Sequence, residues 1–400
     1  MIRLGFSSPG FSCKNRLRPG RAAARWNRNR DRAVEPFVSS NVESEPEEYE
    51  DDEDIVENIE QEEGESVYYY FVPPRNQHDP CPDEILTSNE TLKLYHRIFH
   101  GTCVIAPRYK PAFCKVKFLP FSSMSPAELH GWERLVCFFL GRTQFVEPVK
   151  INGPLMGGVM WADGWRKSSK TGEWFGRYCL VARLSALIKL CQYNPEDEAA
   201  SFREANNWIA THLNELAPGV LEQYRQLLIE SELPSFAQME YPSPYDPLDF
   251  ASFFTFTMYN FHNEDHVDKD ANTWTLVCWI PIFNPLTSSE TDPILADGGF
   301  DMIGGHFTFR DFQVYLDLNH VFGVTMCVFR SQDHTHQTLK GVSPSDRYTR
   351  LGFSCQMSEK MSNAVVAYIN TKNKACKIVS GQQVQIDNAE AKLSKKKKID

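Results

Sequence analysis

The sequence predicts an α+β protein in which a helical half precedes a β-rich half. Three observations carry that expectation. Segments with helical spacing of apolar residues cluster before Pro234, and short aromatic or β-branched runs punctuated by Gly, Pro, Asn and Asp follow it. Residues 1–65, in contrast, have too little apolar surface to offset the entropy of ordering them.

Along the chain, residues 1–35 hold nine basic residues against Asp31 and Glu35, and residues 36–65 hold fourteen acids and no base. This stretch (1–65) is expected to be disordered, basic and then acidic. Its two parts carry +7 and −14, which leaves about −3 of the formal −10 for residues 66–400. The body is close to neutral, so bulk charge argues neither for nor against a nucleic-acid partner.

Residues 66–248 read as a mixed α/β and helical support region. "VYYYFVPP" (67–74) opens it, and 91–107 and 114–121 read as short helix and strand pieces. "SPAELHGWERLVCFFLG" (125–141) is a helix with Ser125 as its cap, Glu128 three residues on and Gly141 as its stop. Two more helices, 194–217 and 218–233, are separated by Pro218-Gly219. Residues 249–360 form the β-rich core, with strand-like runs at 249–261, 274–283, 305–318, 322–331 and 349–357 whose spacing suggests a sandwich or barrel. A strand or helix extension (361–390) and a flexible basic tail (391–400) complete the reading. The lysine run at 395–398 reads as a nuclear-import signal, a phosphate-binding tail or a solvated end.

No stretch of eighteen or more uncharged apolar residues exists, so no membrane span is expected. The 11 cysteines include no CxxC pair, which argues against a cysteine-only zinc site. They read as reduced, mostly buried thiols of an intracellular protein.

The chemistry concentrates in "FHNEDHVDKDANTW" (261–274). On a strand, His266 and Asp268 share a face while Val267 turns away. With one distant histidine they make the 2-His-1-carboxylate triad of non-haem Fe(II) oxygenases, which leaves three positions open. "VFRSQDHTHQTLKGVSPSDRYTRLGFSCQ" (328–356) supplies His334 and His336 after an apolar strand, then Arg350 on the next strand. A double-stranded β-helix (jelly roll) needs this order, with an N-terminal helical elaboration outside it. Arg350 is suited to a bidentate pair with the distal carboxylate of 2-oxoglutarate. The "HTH" at 334–336 also suggests a cupin metal site, but Gly341 stands where that pattern needs a glutamate.

At these residues the sequence resembles the Tet/JBP-type 2-oxoglutarate- and Fe(II)-dependent dioxygenases, which oxidise methyl groups on DNA pyrimidines, and within them the Tet-like domains of fungal genomes. The resemblance lies in 253–272, "HQT" (336–338) and "YTRLGFSCQ" (348–356), more loosely in "ADGWRKSSKTGEWFGRY" (162–178), and covers roughly residues 100–357. It implies His266, Asp268 and His336 as iron ligands, with His334 as the rival, and Arg350 as the 2-oxoglutarate arginine. It implies Fe(II) and 2-oxoglutarate as cofactors and O2 as co-substrate. The chain departs from animal Tet-type enzymes in two places. Gly352 stands where they carry a serine, for which Ser354 is a candidate replacement, and their cysteine-rich zinc insert has no counterpart.

Arg166 reads either as a contact to 2-oxoglutarate or a phosphate, or as a structural ion pair. His262, Glu264 and Asp265 read as solvated loop residues or partners of the ligands, and His306 as a packed or surface histidine. The reaction expected is hydroxylation of the methyl group of 5-methylcytosine, or of thymine, in DNA. The base would have to be flipped out, with Trp161, Trp165, Trp174 and Tyr259 as stacking candidates. The rivals are the same reaction on a protein or small molecule, and an inactive transposon-derived binding module. A DNA substrate implies the nucleus; otherwise the cytoplasm is expected.

Overall fold

The computed structural model describes residues 67–72, 92–150, 153, 155–289, 291–371 and 377–396, all within the unit Pro36–Asp400. The expectations for residues 1–65 and 397–400 lie outside the described residues.

Strands β1 (Val67–Val72), β2 (His96–Ile98), β3 (Thr102–Pro107) and β4 (Cys114–Pro120) lead to helix α1 (Pro126–Arg142). The helix opens on the expected capping box: the Ser125 side chain accepts from the Glu128 N–H, and the Glu128 carboxylate accepts from the Ser125 N–H. Antiparallel β5 (Gly157–Lys167) and β6 (Glu173–Arg177) follow, then α2 (Val181–Lys189), α3 (Pro195–Leu216) and α4 (Pro218–Glu230). The last two match the two helices expected there. Asn194 caps α3, acids fill its first turn against the helix dipole, and Pro218 prevents α3 and α4 from fusing.

The second half supplies β7 (Phe253–His262), β8 (Thr275–Phe283), β9 (Ile303–Gly304), β10 (Phe307–Phe309), β11 (Val314–Leu316), β12 (Gly323–Phe329), β13 (Gln337–Thr338), β14 (Gly341–Val342) and β15 (Tyr348–Gln356). Helix α5 (Glu359–Ile369), β16 (Ile378–Ser380) and α6 (Gln382–Lys396) come last.

One ten-stranded sheet runs β1-β3-β4-β12-β8-β15-β7-β5-β6-β16; a four-stranded sheet runs β13-β10-β11-β2; β14 pairs with β9 alone. The large sheet is covered on both faces, and strand alternation shows how. Val324, Met326 and Val328 of β12 join Leu351, Phe353 and Cys355 of β15 and the helix residues Trp132, Phe139 and Phe202 in one core. Cys327 and Phe329 of β12 turn to the opposite face. There, with Trp279, they meet Phe307 and Phe309 of the four-stranded sheet. Each such fully buried Phe contributes about 1.5–3 kcal/mol of transfer free energy. The parity that buries Leu351 and Phe353 against the helices points Arg350 into the space between the two sheets.

The structure differs from the sequence reading in four places. The sheet crosses the boundary expected at 248/249, because β7 pairs with β5 and β12 with β4 across long separations in sequence. The run 305–318 is not one strand: a 3-10 turn at Arg310–Phe312 and a left-handed Gln313 (φ 51°) split it into β10 and β11. α2 went unanticipated, being only nine residues long. Finally, α6 carries into the start of the segment expected as a flexible tail. Of the cysteines described, Cys103, Cys114, Cys278, Cys327 and Cys355 are buried while Cys137 and Cys191 are exposed, and none is disulfide-bonded.

Candidate metal centre

The path to the centre begins with an irregularity in β7. Phe254, Phe256 and Met258 alternate into the helix-side core until Tyr259 and Asn260, which take consecutive left-handed conformations (φ 62° and 58°). Both backbone N–H groups donate to the Thr349 hydroxyl, at 2.9 and 3.2 Å, so the strain is held by a specific partner. Opposite them, Gly158 (φ 72°) allows the strands to approach: a Cβ there would lie 2.4 Å from Phe261 Cα. β7 therefore leaves the sheet at His262. His266-Val267-Asp268 sits in a loop, not on a strand as the sequence suggested.

A short backbone ladder takes the strand's place. Asn263 N–H donates to Thr338 O (3.2 Å), His266 and His336 exchange both bonds (3.1 and 2.9 Å), and Asp268 N–H donates to Ser331 O (3.0 Å). The Asn263 carboxamide oxygen also accepts from Thr338 N–H at 2.8 Å. The two loops, about seventy residues apart, are thus zipped together, and ligand-type atoms of His266, Asp268 and His336 all lie within 4.8 Å of one another. Both imidazole Nε2 atoms face Asp268 Oδ1, at 3.7 Å from His266 and 3.8 Å from His336.

The tautomers follow from the other ring nitrogens. His266 Nδ1 lies 2.9 Å from Glu264 O, and His336 Nδ1 lies 3.2 Å from His334 O. With Nδ1–H given to a carbonyl, each Nε2 presents a lone pair to the shared space. Burial lowers the His336 pKa to about 4, against a smaller raising effect of Asp268, so the ring is neutral and able to coordinate near neutral pH. Two donors about 2.1 Å from one ion and at right angles stand about 3 Å apart. The two Nε2–Oδ1 spacings, 3.7 and 3.8 Å, are under 1 Å wider. One carboxylate and two imidazoles are an appropriate donor set for Fe(II).

His334 is not in this cluster. Its ring packs edge-on against Phe113 (4.9 Å) and Phe312 (5.0 Å), and its backbone carbonyl serves His336. Thr335 between them is fixed by Asp311, which accepts from its N–H and its hydroxyl.

Arg350 is buried on β15. It shares a cavity with Thr257, Asn260, Trp279, Gly305, Thr338 and Gly352. Nη1 donates to Gly305 O (2.9 Å) and Nη2 to Asn319 Oδ1 and, at 3.5 Å, to Leu318 O, so both terminal nitrogens are anchored to the 304–319 segment. Nε is buried without a partner, and among the described residues no carboxylate pairs with this cation. Burial lowers its pKa to about 10, still charged at neutral pH. A desolvated guanidinium with an unpartnered Nε and no counter-charge is a suitable receptor for a carboxylate. Asp317 is engaged elsewhere, by Arg97 (2.8 Å) and His306 (3.3 Å). Asn319 and Gly305 left no sequence signal, whereas Thr257 is visible in "FTFT" (254–257) as a polar residue alternating with buried phenylalanines.

Three other sequence candidates fall outside the cavity. The Ser354 and Thr255 hydroxyls pair at 2.6 Å and Ser354 does not line the Arg350 cavity, so the structure does not put it in the place of the serine missing at Gly352. Arg166 takes its structural reading: it faces Glu173 at 3.7 Å across the β5–β6 hairpin. His306 is buried against Asp317. Of the stacking candidates, Trp165 is spent in the core with its indole N–H on Gln238 O (3.0 Å), Trp161 stacks on Phe256, and Trp174 packs by Tyr368. Half-buried Tyr259 lies nearest the loop. A larger cleft, about 1070 Å³, opens between α1 and α3, lined by none of the residues of the centre.

With this geometry in view, the chain can be compared with known proteins. A family model described as the Tet-like 2OG-Fe(II) oxygenase superfamily matches residues 125–341, a little over half of the chain. The match spans His266, Asp268 and His336 and stops short of Arg350. No curated protein matches. Among solved structures, a prolyl-4-hydroxylase from Pseudomonas putida is similar at 13% identity and a TM-score of 0.29, over 62% of this chain and 93% of that one.

Proposed function

The chain belongs to the Tet-like 2OG-Fe(II) oxygenase superfamily and is a 2-oxoglutarate-dependent dioxygenase using Fe(II); on that premise we propose that His266, Asp268 and His336 hold the iron, and that Arg350 receives the distal carboxylate of 2-oxoglutarate. The observation that carries this reading is the convergence of two Nε2 lone pairs and one carboxylate, in a chain that also buries a guanidinium whose Nε has no partner. The two packed sheets that enclose the centre are read as a double-stranded β-helix core, decorated by helices α1, α3 and α4.

When bound, Fe(II) supplies the coupling of 2-oxoglutarate and O2 to C–H hydroxylation, with succinate and CO2 as co-products. The protein's part is positional. The Nδ1 bonds to Glu264 O and His334 O hold the imidazoles, Arg350 aligns the co-substrate, and the phenylalanines around His336 exclude water from that side.

For the substrate we propose the methyl group of 5-methylcytosine, or of thymine, in DNA, supported by the Tet-like family and by the residues 253–272 and 348–356 that resemble it. A base inside a duplex cannot reach an iron at this depth and would have to be flipped out, at a cost of a few kcal/mol. This substrate places the protein in the nucleus, with lysines 395–398 as the import segment. A second reading, in which a protein or small molecule is hydroxylated, is equally compatible with the near-neutral body.

Purified protein given Fe(II) and 2-oxoglutarate without oxygen should develop the weak visible band of the chelate. With oxygen and methylated duplex DNA, digestion and mass spectrometry should reveal oxidised pyrimidine nucleosides. Succinate without oxidised pyrimidine would move the assignment to the second reading. An absent band would overturn the site.

A further inference from the structure

Two threonines two residues apart on β7, Thr255 and Thr257, present their side chains on the face of the sheet opposite the helices. Each lies across from a residue of β15: Thr255 pairs in register with Ser354, and Thr257 with Gly352. The outcome differs. Thr255 and Ser354 satisfy each other at 2.6 Å. Among the described residues no side chain hydrogen-bonds the Thr257 hydroxyl, which approaches the Gly352 carbonyl at 3.5 Å, the long limit of a hydrogen bond. That hydroxyl lines the same cavity as Arg350.

Gly352 explains the difference. Its φ is unremarkable, so no backbone strain calls for glycine there. Space does: a Cβ at 352 would lie 2.7 Å from Thr257 Oγ1 and 3.4 Å from Trp279 Cδ1. Trp279 is the third wall of the position, paired with Gly352 from β8 and held by the Phe307 ring at 4.9 Å. Only one of positions 257 and 352 can carry a side chain into this volume, and here it is 257.

We propose that Thr257 is a specificity-determining residue of the co-substrate cavity, its hydroxyl donating to the carboxylate that Arg350 pairs, with Gly352 left bare to admit it. The inference rests on the assignment of Arg350 to 2-oxoglutarate. A carboxylate paired with the Arg350 guanidinium retains acceptor capacity, and the Thr257 hydroxyl, in the same cavity, is a donor with no strong partner of its own.

The test is anaerobic titration of 2-oxoglutarate into Fe(II)-loaded protein, read by the chelate band, together with the shift of melting temperature that 2-oxoglutarate produces. A hydrogen bond to a charged group is worth roughly a tenfold or greater change in Kd. Thr257→Val, nearly isosteric, should weaken binding by roughly tenfold or more while leaving the melting temperature without 2-oxoglutarate unchanged, and Thr257→Ser should bind like wild type. Gly352→Ser alone should lose binding, because two side chains compete for one space. The double variant T257A/G352S, which moves the hydroxyl from one strand to the other, should recover binding to within about threefold of wild type. If wild type binds 2-oxoglutarate but Thr257→Val binds equally well, or if Gly352→Ser binds as wild type does, this proposal fails while the Arg350 assignment stands. If wild type does not bind at all, the Arg350 assignment fails and takes the proposal with it.

Discussion

The two halves of the centre are built differently. His266 and Asp268 ride on a loop that left its sheet at a strained bend, and His336 sits just before a two-residue strand. What brings them together is four cross-loop backbone hydrogen bonds linking 263–268 to 331–338. Arg350 lies on β15, between β8 and β7 in the middle of the ten-stranded sheet, and donates to acceptors on a separate segment. The metal half is therefore held by its own backbone ladder and not by the sheet. The arginine half is part of the frame itself, and the fold must sustain a buried cation whether or not co-substrate is present. Function and stability should separate in the first half and travel together in the second.

The largest effect that could break this contrast comes from paired truncations. Asp268→Ala should abolish the chelate band and succinate formation while changing the unfolding free energy of the metal-free protein by less than about 1 kcal/mol, as expected of a loop side chain outside the core. Arg350→Ala should abolish 2-oxoglutarate binding and also destabilise the metal-free protein by about 3 kcal/mol, because Gly305 O and Asn319 Oδ1 lose their donor inside the fold. Equal denaturation midpoints for the two variants would refute the contrast.

A comparable effect is expected from acid. His306, behind Arg350, has its pKa lowered to about 4 by burial, with Asp317 opposing the shift. As pH falls from about 6.5 toward about 4, the unfolded chain takes up a proton that the folded chain refuses, so this contribution is complete above about 6.5 and lost below it. It amounts to about 3 kcal/mol, and His306→Gln should flatten the stability–pH curve over that window.

His334→Ala sharpens the comparison within the metal half. It should cost about 1–3 kcal/mol by emptying the space between Phe113 and Phe312, while the chelate band persists because the His334 carbonyl that orients His336 remains. Loss of the band with stability intact would transfer the ligand role to His334. Smallest of all, Ser125→Ala should cost about 1 kcal/mol in thermal unfolding and leave 2-oxoglutarate binding untouched, since the capping box of α1 is remote from the cavity.

Local signals in the sequence were reliable wherever a residue's neighbours in the chain are its neighbours in space. The capping box at Ser125 and Glu128, the Pro218 break and the alternation in 253–262 are satisfied within a few residues. The order of His266, Asp268, the later histidines and Arg350 was also legible, because a sheet-borne site needs its elements in sequence. The choice of His336 over His334 rested on the family resemblance and not on the local pattern. Both have the same parity, and what separates them is a pair of phenylalanines, one of them two hundred residues away. Ser354 failed as the replacement hydroxyl for a similar reason: only the pairing of β15 with β7 reveals that Thr255 has already claimed it.

By itself, then, the sequence determined helices α1, α3 and α4, the strand runs of the second half and a set of candidate metal ligands, since periodicity, caps and side-chain chemistry act over short range. Tertiary structure alone decided that the His-x-Asp segment leaves its strand, that β5 and β6 join the sheet from before residue 249, and that a glycine on one strand makes room for a threonine on the next. Those outcomes depend on contacts between segments distant in the chain, whose closure entropy is overcome by the packing of the assembled sheets and not by any preference of the segments themselves.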